Sequence, residues 1–298
     1  MRPIRQNTPG RRWFLTSRTL ESRFFLLPDK ETNEVIGFYL ARALRLFPSM
    51  KLIAVVCLSN HCHLVVEDGG GQLSAFAAHF FGNVARELNI LHERTGTVFP
   101  RPYSAEAILD DEALAGRIRY TLLNPAADRL TDTYDLWPGL LGWSLFNKRL
   151  EFKRFNRREF GRVLRKAEPG LEPERDDFIE TEVLELAELP ESLDADQIER
   201  EVREEEAKLR AKRQWSLGPK KILAQKFEDK PKHTDRSQRP LCHASTSPAW
   251  FEYLRQTRAF RVAYQIASIA FRAGKLLVEF PAHCFRPPTA VRPSLVAT

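Results

Sequence analysis

Two histidines separated by one residue interrupt the apolar run LSNHCHLVV, at His61 and His63. In an extended chain alternate side chains face the same way. His61, His63 and Val65 therefore share one face, and Cys62, Leu64 and Val66 share the other. The second set suits a core, and the first presents two imidazoles side by side, half of a metal site. About 57 residues beyond His63, Tyr120 and Asn124 stand four apart in RYTLLN, hence one turn apart on one face of a helix. Two imidazoles and an amide oxygen make a three-ligand site with open positions, suited to Mg²⁺ or Mn²⁺ held against a phosphate. A phenol one turn away can attack that phosphate. With an ordinary pKa of about 10 it is a poor nucleophile near neutrality, so a cation must favour the phenolate or polarise the phosphate.

The elements that must position these groups are legible in outline. Trp13 to Arg18 reads as a strand, and Glu31 to Leu46 carries Val35, Ile36, Tyr39, Leu40, Ala43 and Leu44 at helical spacing before Pro48. KLIAVVC and HCHLVV are two strand-like pieces with Ser59-Asn60 as the kink between them. After Gly69-Gly70-Gly71, apolar residues from Leu73 to Leu91 recur at steps of three and four, predicting a helix that stops near Gly96. Tyr103 to Leu109 reads as another strand. Asp110-Asp111-Glu112 then opens a third helix, Ala113 to Asn124, which Pro125 is expected to end. This order predicts an α+β fold, an antiparallel sheet covered by helices, with a largely helical, charged C-terminal extension.

Further along, Lys148 to Lys166 holds nine basic and two acidic residues and reads as a basic amphipathic helix. Between Glu168 and Glu206 there are 17 acidic residues against three arginines, a contribution of −14 within a net charge of +7, so the rest of the chain carries about +21. Such a basic remainder favours a polyanion partner. Glu168 to about Ser247 reads as helix, linker and partial disorder. From Pro248, Trp250 to Ala273 shows helical spacing, Gly274 suits a cap, and LLVEFP reads as a strand. The expected division is 11–147 for the catalytic unit, 148–247 for the charged region and 248–298 for a small terminal segment. No apolar run is long enough to span a bilayer, and the basic N-terminus has no hydrophobic stretch behind it, so a cytoplasmic protein is expected. Four cysteines, Cys57, Cys62, Cys242 and Cys284, do not make a disulfide framework in a chain of 298 residues.

NHCHLVV followed by RYTLLNP resembles the single-tyrosine HUH transposases of the IS200-like family, in particular the REP-associated tyrosine transposases. TSRT at Thr16 to Thr19, PYSAEAILDDEAL before the third helix and DLWPGLLGW at Asp135 to Trp143 follow in that family's order, so the resemblance covers roughly Arg11 to Ser144. His-x-His alone is weak, whereas its combination with Tyr-x-x-x-Asn-Pro in this element order is fairly specific. The resemblance implies a ferredoxin-like sheet, a divalent cation on His61 and His63 with Asn124 as third ligand, and Tyr120 as nucleophile. The implied reaction nicks single-stranded DNA beside a hairpin or palindrome, leaves a 5′-phosphotyrosine and a free 3′-hydroxyl, and later rejoins strands. It implies a monomer or homodimer. The chain departs from the pattern at Leu58-Ser59, where methionine-proline is usual, at Cys62, where valine is usual, and at Pro102, where an arginine often precedes the tyrosine.

Other readings of the same residues stay open. Asparagine before proline is a common helix terminator, which gives Asn124 a second role. Arg18, Arg117 and Arg119 can touch a DNA backbone or simply be solvated, and Lys153, Arg154 and Arg157 of the basic stretch can track phosphates. A histidine-triad nucleotide hydrolase would need a further histidine at Val65. Cys242-His243 and His283-Cys284 fit no common zinc module. The remaining alternative to an enzyme is an inactive or domesticated binder of hairpin or single-stranded DNA.

Overall fold

The computed structural model describes residues 4–168, 172–212, 215–231 and 240–290. Parts of the stretch read as linker and disorder, and the end of the terminal segment, lie outside the described residues. The first six elements run β1 (Arg11–Arg18), α1 (Lys30–Leu46), β2 (Met50–Leu58), β3 (His61–Asp68), α2 (Leu73–Leu91) and β4 (Ser104–Ile108). In the sheet these strands lie in the order β2-β3-β1-β4, all antiparallel, which is the ferredoxin-like arrangement. β5 (Leu141–Gly142) extends the sheet beyond β2. β8 (Cys242–His243) pairs parallel with β4 at the other edge.

Local chemistry sets the ends of the helices. Asp29 caps α1 by accepting from the Thr32 backbone N–H at 2.8 Å, and the buried Asp68 accepts from the N–H groups of Gln72 and Leu73 at the start of α2. Asp110 caps α3 (Asp111–Ala127) in the same way through Ala113. Both faces of the sheet are covered, which is why β2 and β3 are buried along nearly their whole length and read as almost continuous apolar runs. Trp13, Leu15, Cys57, Cys62, Leu64 and Val66 face α1 and α2. Phe14, Val56, Leu58 and Val65 face α3, which contributes Leu114, Ile118 and Leu122. A bulge at Ile53 shifts the register of β2 against β3.

Several expectations need correction. The segment from Lys148 is not one helix: it forms β6 (Arg149–Phe155) and the short α4 (Arg157–Leu164). Leu150 and Phe152 alternate with exposed Arg149, Glu151 and Lys153, a period of two that pairing with β7 (Ile179–Glu185) selects over the helical period. Phe152 sits so close to α1 that a Cβ at Gly37 would lie 2.3 Å from its ring. The acidic stretch, expected as helix, linker and partial disorder, supplies the helix α5 (Ala195–Ala211), whose Ile198 and Val202 pack into the α3 core, and the short α6 (Pro219–Leu223), but it also supplies the strand β7. α3 continues through Pro125 to Ala127, because a proline in the last turn removes only one N–H, and the Pro125 carbonyl accepts from Leu130 and Thr131 to close the end. α7 (Ser247–Arg272) forms where expected, whereas Leu276 to Pro281 is not a strand.

Candidate active site

The turn at Ser59-Asn60 and the pairing of β3 with β1 fix the two histidines. His63 lies opposite Thr16 and His61 opposite Arg18, so the face that carries the imidazoles also carries Phe14, Thr16 and Arg18. Both histidines are buried, with ring centroids 4.8 Å apart. Each Nδ1 has a partner: that of His63 is 2.9 Å from the Thr16 hydroxyl, and that of His61 is 2.5 Å from the Asn60 side-chain oxygen. Such contacts set ring orientation, and a ring whose Nδ1 donates keeps Nε2 as the nitrogen with ligand chemistry. Phe14 stacks on His63 at 5.0 Å with planes 9° apart, which restrains that ring.

α3 crosses this face and places Tyr120 over His63, with centroids 5.4 Å apart, and over Phe14 at 5.6 Å, both edge to face. Tyr120 remains 43 % exposed, so its ring is anchored while the residue stays accessible. Asn124, one turn on and buried, donates its amide N–H to the Tyr120 carbonyl at 3.0 Å. Its nitrogen serves the helix, so the amide oxygen is the atom able to meet a cation. Arg117 lies 4.9 Å from the Tyr120 ring and 5.6 Å from Phe14, where burial lowers its pKa and the neighbouring Tyr120 and Glu106 partly offset that.

Beside His61 a cleft of about 300 Å³ is lined by Arg18, Asn60, His61 and, at the end of α3, Asp128. Arg119 points elsewhere, to Glu112 at 2.9 Å and to Glu201 of α5. Lys153, Arg154 and Arg157 lie on β6 and α4, on the α1 and α2 side of the sheet. The Arg154 guanidinium there meets Glu87, at 2.6 Å, and Glu180. The structure thus brings His61, His63 and Tyr120 together, with Arg18 beside His61, Arg117 against Tyr120 and Asn124 one turn on from Tyr120, and separates the other four cations from them. Glu67 is engaged by Arg12 and Lys51. Tyr134, another tyrosine near this face, is buried with its hydroxyl on Glu199, and burial, with Glu199, pushes its pKa up.

The donor set fits a divalent cation in part. Among the described residues no three His, Cys, Asp or Glu side chains group to hold a metal, so two imidazoles need the Asn124 oxygen or ligand oxygens to complete a shell. That mixture suits Mn²⁺ better than Mg²⁺, which prefers oxygen throughout. Sequence reasoning missed Thr16 and Asn60 as the groups that orient the imidazoles. It also missed a pair next to the site, buried Glu106 and half-buried His243, 2.8 Å apart and with the His243 ring 5.9 Å from Phe14. The alternation of β1 hinted at Thr16, but no local signal ties Glu106 to a residue 137 positions away.

No family model matches this chain, and no curated protein matches it. Among solved structures it is similar to a REP-associated tyrosine transposase bound to a REP hairpin, at 17 % identity and a TM-score of 0.37, over 47 % of this chain and 79 % of that one. It is also similar to a putative transposase from Deinococcus radiodurans, at 15 % identity and a TM-score of 0.30, over 40 % and 95 % of the two chains. Likeness at this level establishes neither family nor activity, and the functional reading rests on the residues themselves. Among the described residues no helix is long and apolar enough to cross a membrane.

Proposed function

We propose that this chain is a metal-dependent transposase of the REP-associated tyrosine type, a strand transferase acting on single-stranded DNA beside a hairpin. The observation that carries the reading is the placement of Tyr120, accessible and in ring contact with His63, while both imidazoles are oriented through Nδ1. The Tyr120 hydroxyl attacks the scissile phosphorus, the bond to the 3′-oxygen breaks, and the phenolic proton ends on that leaving oxygen. A phosphodiester is exchanged for a phosphotyrosine, so a later 3′-hydroxyl can reverse the step without water. His61, His63 and Asn124 would hold Mn²⁺ or Mg²⁺, which supplies charge stabilisation at the phosphoryl oxygens. Arg18, in the cleft beside His61, and Arg117, against Tyr120, would contact phosphates of the bound strand.

The test is incubation of the full chain with labelled single-stranded hairpin oligonucleotides from the flanks of its own gene, with Mn²⁺ or with EDTA. A denaturation-resistant adduct that needs metal, His63 and Tyr120 supports the transferase. DNA retarded without an adduct, unchanged in Tyr120→Phe, would replace it with a binding protein that keeps the outline of the site.

A further inference from the structure

On the opposite side of the sheet from Tyr120 lies a cavity of about 400 Å³, bounded by the N-terminal segment, the start of β4 and α7. Three arginines line it, Arg5, Arg11 and Arg261, and no carboxylate does. Among the described residues none of the three forms an ion pair. Arg5 instead lies 4.8 Å from the Tyr103 ring, Arg11 lies 5.0 Å from Tyr253, and both flank Trp13 at 5.9 Å. Two buried donors on the same walls, Trp13 Nε1 and Arg261 Nε, have no acceptor. A buried donor without an acceptor is unfavourable, and three like charges around one cavity repel. A single kind of ligand relieves both: an anion rich in acceptor oxygens. The volume exceeds a bare phosphate, and the aromatic walls suit a planar ring.

We propose that this cavity is a nucleotide-binding site, in which Arg5, Arg11 and Arg261 hold the phosphate and the rings of Trp13, Tyr103 and Tyr253 frame the base. Trp13 and Phe14 are neighbours on β1 that face opposite sides of the sheet, so this site is separate from the tyrosine and does not depend on its chemistry. Tyr253 and Arg261 come from α7, more than a hundred residues beyond the last segment that resembles a known family. The nucleotide is either free or an unpaired unit of a DNA strand, and the phosphate and ring are common to both.

The full chain carrying Tyr120→Phe, in which covalent chemistry on the other face is silent, is titrated calorimetrically with dAMP, deoxyadenosine and inorganic phosphate. dAMP binds at sub-millimolar concentration, and each of the other two binds at least ~10-fold more weakly, as loss of a charge-assisted contact or of stacking entails. Arg11→Ala and Arg261→Ala each weaken dAMP about 10-fold. Thr257→Glu, which places a carboxylate on the same wall without deleting any packing, abolishes binding. A single-stranded oligonucleotide that displaces dAMP assigns the site to a DNA strand, and failure to displace it assigns the site to free nucleotide. No dAMP binding to the parent chain, or binding unaltered by all three substitutions, overturns the proposal.

Discussion

The face of the sheet under α1 and α2 is closed by Trp13, Leu15, Leu64 and Val66 against Phe38, Phe76 and Phe80, and its buried carboxylates tie elements together: Asp68 caps α2, Glu87 meets Tyr39 and Arg154, and Glu182 of β7 meets Arg42 and Arg45 of α1 at 2.8 Å. The face under α3 buries Thr16, His61, His63, Glu106 and Asn124 among apolar residues. Burying polar side chains costs free energy unless each is hydrogen-bonded, and here they are joined in short local contacts. The contrast assigns stability mainly to the first face and chemistry to the second, and substitutions on each side should separate the two.

The largest effect expected is from Tyr120→Phe, which removes the proposed nucleophile: adduct formation on a hairpin substrate falls by ~10³-fold or more while the melting temperature barely moves. Glu182→Ala should do the reverse. It leaves two arginines without their shared carboxylate and lowers unfolding free energy by about 2–3 kcal/mol in denaturant titration, with adduct formation per folded molecule unchanged.

The same carboxylate gives a pH dependence of known sign. Arg45 and Arg42 hold the Glu182 pKa below its ordinary value, more than burial raises it, so its contribution is present above the ordinary glutamate range and fades as pH falls through the lowered value. The stability gap between the parent chain and Glu182→Gln should therefore be widest near neutrality and close on acidification. A gap that grows in acid would contradict the arrangement.

Thr16→Ala tests whether the polar face works as a unit. Loss of the Nδ1 contact to His63 should weaken Mn²⁺ affinity by about 10- to 100-fold, read by metal titration, with little loss of stability. Arg119→Ala is the smallest change. Its guanidinium is held by Glu112 and Glu201, exposed or half-buried pairs, so less than about 1 kcal/mol of stability and no DNA affinity should be lost. A large loss of DNA binding there would move the interface toward α5.

Most of the second face could be read in the chain because its signals are local. Alternation put His61 and His63 together, and the four-residue step put Tyr120 above Asn124. What was not legible depends on pairing between distant segments. Thr16 becomes the partner of His63 only through the β1 and β3 register, and His243 reaches Glu106 only because a two-residue strand docks at the sheet edge. The stretch from Lys148 misled for a related reason. Its arginines at helical spacing masked the alternation Leu150, Phe152, Arg154, which is decided by β7 and Gly37 rather than by the segment itself. Arg154, expected on DNA, is drawn to Glu87 by that same pairing.

The most direct measurement is peptide mapping by mass spectrometry after reaction of the full chain with a single-stranded hairpin oligonucleotide and Mn²⁺. The account predicts a nucleotide remnant joined through its 5′-phosphate to Tyr120, and absent with EDTA. A remnant on Tyr103 or Tyr134, or bound DNA with no modified tyrosine, would contradict it.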